Sequence, residues 1–145
     1  NIRCSICSSE IEDKGDNLAC SGCGFIAFPI SHRNEELNIE PEDANKLKDE
    51  FIFIDVRTPE ENTLVQIAGS LLIPLNELPL RLKELDKENK IITYCHHGVR
   101  GMNAAKFLAQ KGFNVKNLRG GIDLWSLTID KSLPRYDNLV SRNLI

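Results

Sequence analysis

Short, unbroken apolar runs alternate along the chain with stretches whose apolar positions recur at the helical period. The clearest runs, FIFIDV at 51–56 and KIITYC at 90–95, are typical of strands buried on both faces of a sheet. Further strand-like segments lie at 70–75 and 114–118, and the polar linker 34–40 leads into a short strand. The predicted helices cover residues 41–50, 59–66, 76–86, 99–112 and 121–130. This alternation predicts an α/β domain in which helices flank both faces of a parallel sheet.

Individual residues support several of these helices. Leu78, Leu82 and Leu85 would share one face of the helix predicted at 76–86. A tight turn is expected at Gly120–Gly121, where glycine permits unusual backbone angles. We also expect Trp125 to pack the last helix onto the core.

Composition narrows the function classes. The 145 residues carry a net charge of −3, with 41% hydrophobic and 27% charged residues, as in a soluble globular protein. This charge argues against a nucleic-acid partner held by bulk electrostatics. Apolar runs such as LLIPL are too short to cross a bilayer, and no basic-then-apolar signal segment opens the chain. We therefore expect no nucleic-acid partner, no membrane association and a cytoplasmic location.

Four of the five cysteines lie in the first 33 residues, which we interpret as a separate zinc-knuckle segment. They form two CxxC pairs, twelve residues apart: Cys4, Cys7, Cys20 and Cys23. Two such knuckles can direct four thiolates at one structural Zn²⁺, whose binding would stabilise so short a segment. The alternatives are two disulfides or a redox-active CxxC.

The fifth cysteine, Cys95, ends the predicted strand 90–95 and is followed by a short loop into a helix. In an open α/β sheet, ligands bind beyond the carboxyl ends of the strands. The free amides of the helix N-terminus would face the sulfur, and Gly98 lets the backbone curl close to it. Such surroundings favour a thiolate nucleophile or an anionic persulfide. The alternative is a buried core cysteine.

Four ordered motifs resemble the rhodanese family of sulfurtransferases. They are DVRTPEE (55–61), IAGSLLIPLNEL (67–78), YCHHGVRGMNAAKFLAQKGFNVKNLRGGIDLW (94–125) and IDKSLPRY (129–136). The resemblance implies a rhodanese-like domain over residues 34–140 with a five-stranded parallel sheet. It implies that Cys95 takes up sulfane sulfur as a persulfide and passes it to a thiophilic acceptor.

The resemblance also implies roles for the neighbours of Cys95. Arg100 would join Cys95 as a catalytic residue and hold an anionic donor. Asp55 and Arg57 would brace the loops. The substrate-tuning residues would be His96, His97, Gly98 and Val99, although paired loop histidines are more often ordinary polar loop residues. The family usually has serine at Gly101, so a hydroxyl is missing there.

Other readings of the same residues lead to different functions. Phosphatases and arsenate reductases of this fold use a Cys-x5-Arg loop, whereas the chain has Cys-x4-Arg, which suits a single sulfur better than a phosphoryl group. A second alternative is a non-enzymatic interaction or regulatory module, with the zinc knuckle docking a protein. The tail also resembles rhodanese modules fused to sulfur-carrier adenylyltransferases. That resemblance implies a persulfide relay, with a small-molecule or persulfidated-protein donor and a protein acceptor.

Overall fold

Five parallel strands form the central sheet of the protein. The computed structural model describes residues 37–137 and, in addition, the backbone of residues 11–13 and 18–20. The latter two segments form an antiparallel hairpin of β1 (Ile11–Asp13) and β2 (Leu18–Cys20). The sheet contains β3 (Asn38–Ile39), β4 (Phe51–Asp55), β5 (Leu71–Leu72), β6 (Lys90–Tyr94) and β7 (Asn114–Leu118). Its order is β3-β7-β6-β4-β5, so β6, which leads into Cys95, is central.

In the part of the chain that the structure describes, three α-helices and two 3₁₀ helices connect the strands of this sheet, and a fourth α-helix follows the last strand. The α-helices are α1 (Pro41–Lys46), α2 (Pro59–Leu64), α3 (Val99–Gln110) and α4 (Gly121–Thr128). The 3₁₀ helices, Leu75–Leu80 and Leu82–Glu84, lie between β5 and β6. None of the described helices is both long and apolar enough to cross a membrane.

Alternation along β4 and β6 divides the core into two clusters, one on each face of the sheet. Ile54 and Ile91 point into the cluster that includes α3. Phe53 and Ile92 point into the opposite cluster, where Phe53 meets Trp125 of α4 edge to face. The parallel sheet covered on both faces is therefore confirmed, as is the packing of Trp125 on the core.

The predicted α-helix over 76–86 is wrong. Two 3₁₀ segments replace it, and Pro79 lies inside the first. Proline has no backbone N–H and its ring clashes with the preceding turn, so a continuous α-helix cannot pass through this position. The leucines still face one core cluster, because Leu78 is buried and Leu82 and Leu85 pack against the same residues.

Other predicted boundaries shift by a few residues. The helix predicted at 41–50 ends at Lys46 and continues as turns, and the strand predicted at 70–75 is reduced to Leu71–Leu72. The strand at 114–118 is confirmed at both ends. The zinc-knuckle prediction lies largely outside the described residues, which include only the backbone of Cys20 among its four cysteines.

Candidate active site

Cys95 lies immediately after β6, at the carboxyl edge of the sheet. Its side chain is 1% exposed. The backbone N–H of Gly98 donates to its Sγ at 3.0 Å. The sequence predicts that the amides at the helix N-terminus face the sulfur, and the structure shows this for Gly98, the N-cap of α3, whose N–H stabilises negative charge on sulfur.

The loop from Cys95 to Arg100, the sulfur loop below, is held by the helix that follows β7. The N–H groups of Ile122 and Asp123 donate to the carbonyls of Cys95 (2.8 Å) and His96 (3.1 Å). Gly121 permits this approach, because a Cβ there would overlap both carbonyl oxygens. Gly98 has φ = 111° as the N-cap of α3, in a region that side chains other than glycine rarely adopt.

Arg100 forms a two-point ion pair with Glu61, a residue that sequence reasoning gave no role. Nη1 lies 2.6 Å from Oε1 and Nη2 lies 3.0 Å from Oε2. The Glu61 side chain is fully buried, whereas that of Arg100 is 23% exposed. Although burial raises the pKa of Glu61, hydrogen bonds from Arg100 and Tyr136 outweigh it and lower the pKa to about 2. Glu61 is therefore a carboxylate at neutral pH.

The expected Asp55–Arg57 pair forms and is completely buried. Arg57 donates Nε to Oδ1 of Asp55 at 2.9 Å and Nη2 to Oδ2 at 2.7 Å. Its Nη2 also donates to the Val65 carbonyl at 2.6 Å, and its Nη1 to the Tyr136 hydroxyl at 2.9 Å. The guanidinium thus connects β4 to the segment after α2 and to the C-terminal tail.

The two loop histidines differ in exposure and contacts. His96 is 2% exposed, and its ring stacks on Tyr136 at a centroid distance of 3.8 Å. Burial, followed by the nearby His97, lowers the pKa of His96, so this ring is neutral at neutral pH. The His97 side chain is 45% exposed, with its Nδ1 3.8 Å from Oδ2 of Asp123. Of the two, only His97 faces solvent at the rim.

Gly101 fits closely against Asn117 of β7. A Cβ at Gly101 would overlap Oδ1 of Asn117 and lie 3.3 Å from the Tyr94 Cα. The Nδ2 of Asn117 donates to Oδ1 of Asn38 (3.0 Å) and to the Gly98 carbonyl (3.3 Å). Oδ1 of Asn117 is buried and has no hydrogen-bond partner among the described residues. The absence of a side chain at Gly101 thus leaves room for an amide that contacts the sulfur loop.

The structure brings the predicted residues to one edge of the sheet. The loop that follows β6 carries Cys95, His96, His97, Gly98, Val99 and Arg100; Gly98 contacts Sγ of Cys95, and Val99 is 73% exposed. Asp55 ends the neighbouring strand β4, and Arg57 follows it.

Among the described residues that touch this group, Glu61, Asn117, Asp123 and Tyr136 were missed. The spacing Thr58-x-x-Glu61 is typical of a capping box, which the structure contains at the start of α2, yet that pattern does not reveal the partner Arg100.

No cluster of three or more metal-ligating side chains occurs among the residues whose side chains are described. Cys4, Cys7 and Cys23 lie outside the described residues, and the side chain of Cys20 is not described. The zinc site therefore stays a prediction from the sequence.

Comparison with known proteins identifies the family. A family model described as a rhodanese-like domain matches residues 40–128. A sulfurtransferase of Allochromatium vinosum is 35% identical over 79 residues, which is 54% of this chain and 74% of that protein. A thiosulfate sulfurtransferase of Ectopseudomonas mendocina is 32% identical over 97 residues, 66% of this chain and 89% of that protein.

A larger relative combines two activities in its name. The adenylyltransferase and sulfurtransferase of Ogataea parapolymorpha is 29% identical over 116 residues, covering 79% of this chain but 29% of that protein. Among solved structures, a rhodanese-related protein from Thermoplasma volcanium superposes with a TM-score of 0.61 at 34% identity. That match covers 67% of this chain and 94% of the other.

Proposed function

The chain belongs to the rhodanese-like domain family of sulfurtransferases, and we propose that it carries sulfane sulfur as a persulfide on Cys95. The observation that carries the proposal is the Gly98 N–H directed at Sγ within a closed loop. The Gly98 N–H stabilises the Cys95 thiolate before sulfur uptake, and it stabilises the same Sγ when that atom carries the persulfide sulfur.

The proposed reaction has two balanced steps. The Cys95 thiolate attacks the outer sulfur of thiosulfate, a sulfur–sulfur bond forms, and the bond to the sulfonate sulfur breaks with release of sulfite. An acceptor nucleophile such as cyanide then attacks the terminal sulfur and leaves as thiocyanate, which regenerates the thiolate. No external oxidant or reductant is needed, because the sulfane sulfur moves unchanged in oxidation state.

In this proposal the guanidinium of Arg100 pairs with the Glu61 carboxylate and also attracts the anionic sulfur donor. Both of its terminal nitrogens donate to Glu61, so the guanidinium stabilises the loop while adding positive charge near the sulfur. Burial lowers the pKa of Arg100, but its hydrogen bonds to Glu61, together with the neighbouring Cys95, outweigh burial and raise it, so the residue stays charged. An anionic donor would approach this cation and the solvent-facing His97.

A sulfurtransferase has a sulfur donor and an acceptor, and we propose their classes. The donor is thiosulfate or a persulfidated protein. A protein acceptor in a sulfur-carrier or thiolation system is supported by the likeness to an adenylyltransferase and sulfurtransferase. We place the protein in the cytoplasm, where a reducing environment would keep Cys95 available as a thiolate.

We further propose that Cys4, Cys7, Cys20 and Cys23 bind one structural Zn²⁺. The spacing of the two pairs supports this. The described hairpin also supports it, because Cys20 pairs with Ile11 at its open end. In the sequence, Cys4 and Cys7 precede Ile11 and Cys23 follows Cys20.

The experiment that tests the function is intact mass spectrometry of the protein after incubation with thiosulfate. We expect a gain of one sulfur atom that a reductant removes, and no gain in the Cys95→Ser variant. The rival of a non-enzymatic binding module predicts no sulfur gain in either protein.

A further inference from the structure

The chain returns to the active site after α4. In this tail, residues 129–137, the Leu133 carbonyl accepts a hydrogen bond from Oγ of Ser126 at 2.6 Å. Leu133 and Tyr136 both pack against the core cluster that contains Trp125. Tyr136 lies beyond the segment 40–128 that matches the family model. Tyr136 therefore reaches the site from outside the matched segment.

The ring and backbone of Tyr136 fix His96. The two rings stack with centroids 3.8 Å apart and planes 11° from parallel. The Tyr136 carbonyl lies 2.9 Å from Nε2 of His96. Because a carbonyl oxygen only accepts, Nε2 carries the proton, which sets the tautomer of the imidazole. The residue directly after Cys95 is thereby held in one orientation.

The hydroxyl of Tyr136 joins two ion pairs. It donates to Oε2 of Glu61 at 2.6 Å and accepts from Nη1 of Arg57 at 2.9 Å. Glu61 in turn holds Arg100, the last residue of the sulfur loop. Tyr136 thus acts on both ends of this loop: it contacts His96 at the start directly, and it reaches Arg100 at the end through Glu61.

We propose that Tyr136 is a positioning residue for sulfur transfer, which fixes the sulfur loop at both ends through its ring on His96 and its hydroxyl on the Glu61–Arg100 pair. This inference rests on the proposed sulfurtransferase function. Tyr136 acts through other side chains, since none of its described contacts is with Cys95 itself. The ring and the hydroxyl have separate tasks, and two substitutions separate them.

Tyr136→Phe keeps the stacked ring and the backbone carbonyl but removes both hydroxyl contacts. We expect it to lower kcat/KM for thiosulfate by about 3- to 10-fold, the effect of one net hydrogen bond, with the loss in kcat. Tyr136→Leu also removes the stacking on His96. For this variant we expect a loss of about 10- to 100-fold, because both ends of the loop are released.

A matched control separates positioning from general stability. Phe113 is a buried core residue that precedes β7, at the opposite edge of the sheet from Cys95. We expect Phe113→Leu to lower the free energy of unfolding at least as much as Tyr136→Phe, while its kcat stays near that of the wild type. If kcat falls in step with unfolding free energy in all three variants, Tyr136 is only structural and the proposal is wrong.

A nitrogen NMR measurement on His96 tests the same contact without any sulfur chemistry. We expect one fixed Nε2–H tautomer in the wild-type full chain and in Tyr136→Phe, and shifted His96 ring signals in Tyr136→Leu, because the stacked ring is lost while the backbone carbonyl remains. Unchanged His96 signals and unchanged kcat in Tyr136→Leu would overturn the proposal. If the wild-type protein transfers no sulfur, the proposed function fails, and the NMR result alone decides whether Tyr136 fixes His96.

Discussion

Arg100 and Glu61 are 39 positions apart in the chain, yet they meet through two parallel hydrogen bonds of 2.6 and 3.0 Å. The pair joins the first turn of α3, at the end of the sulfur loop, to α2. Its carboxylate is fully buried and its guanidinium is partly exposed, so removing the charge of one residue has a different effect from removing that of the other. Losing the arginine leaves a buried charge, whereas neutralising the glutamate leaves a cation with access to water.

The first prediction tests whether Arg100 also holds an anionic donor. Arg100→Ala should lower kcat/KM for thiosulfate by roughly one to two orders of magnitude, and affect transfer from a persulfidated protein less, because that donor has no sulfonate. The measurement is steady-state kinetics with thiosulfate beside single-turnover transfer from a persulfidated cysteine desulfurase.

The matched variant for this test is Glu61→Gln, which keeps the cation. If Arg100 binds the sulfonate, Glu61→Gln should have a KM for thiosulfate no higher than that of the wild type, while Arg100→Ala raises it. Equal losses with both donors in Arg100→Ala would show that Arg100 shapes the loop and does not bind the anion.

The second prediction concerns acid stability. The pKa of Glu61 is lowered to about 2 in the folded protein, whereas an unfolded glutamate has a value of about 4.3. The unfolded state therefore binds more protons in this window, so the stabilisation is full above about pH 4.3 and is lost as pH falls towards about 2. Its size should be on the order of 2–3 kcal/mol.

Denaturant unfolding of wild type and Glu61→Gln from neutral to acidic pH measures this contribution. The difference in unfolding free energy between them should shrink as pH falls. Glu84→Gln is the control, because Glu84 pairs with Arg81 on the surface and should leave the acid limb almost unchanged. A difference between wild type and Glu61→Gln that is independent of pH would contradict the assignment.

The third prediction couples Gly101 to Asn117. Gly101→Ser should displace the Asn117 amide and break its bond to the Gly98 carbonyl, at a cost of about 1–3 kcal/mol in stability and with a loss of activity. Asn117→Ala removes the overlap, so the double variant should be more stable than Gly101→Ser alone. Gly101→Ala separates the effect of volume from that of the hydroxyl.

A double-mutant cycle on unfolding free energy, with sulfurtransferase rates beside it, provides this measurement. Strictly additive effects of the two substitutions would show that residue 101 does not meet Asn117.

The fourth prediction is one Zn²⁺ per chain, bound by Cys4, Cys7, Cys20 and Cys23. Elemental analysis of protein purified without chelator should find the metal, and Cys7→Ser should lose it. Cys95→Ser is the matched control, since it removes a thiol outside the two pairs and should retain the zinc. Metal-free protein in which these four thiols form disulfides would refute the site.

The sequence predicted the sheet because its strands are continuous apolar runs, which identify themselves locally. It also located Cys95 and its loop, because a cysteine at a strand end before a glycine and a helix is a local arrangement. The α-helix predicted at 76–86 was wrong because the prediction followed the spacing of the leucines. In the structure, Pro79 decides the backbone conformation instead.

The contacts of Glu61 and Tyr136 could not be predicted from local patterns. Tyr136 meets Glu61 across 75 positions and His96 across 40. Hydrophobic period, capping and turn signals extend over a few residues only, so they say nothing about which distant side chains meet. Asn117 was missed for a similar reason, because its amide fills a space that Gly101, on another element, leaves open.

The return of the tail to the sulfur loop also has a consequence for biosynthesis. Translation proceeds from the N-terminus, so the reactive thiol at position 95 is made before Gly121 and Tyr136, whose contacts complete its surroundings. A nascent chain that stops short of residue 136 already contains the nucleophile but lacks the tyrosine that stacks on His96. The loop that carries this thiol thus acquires its full set of contacts only after nearly the whole domain has been synthesised.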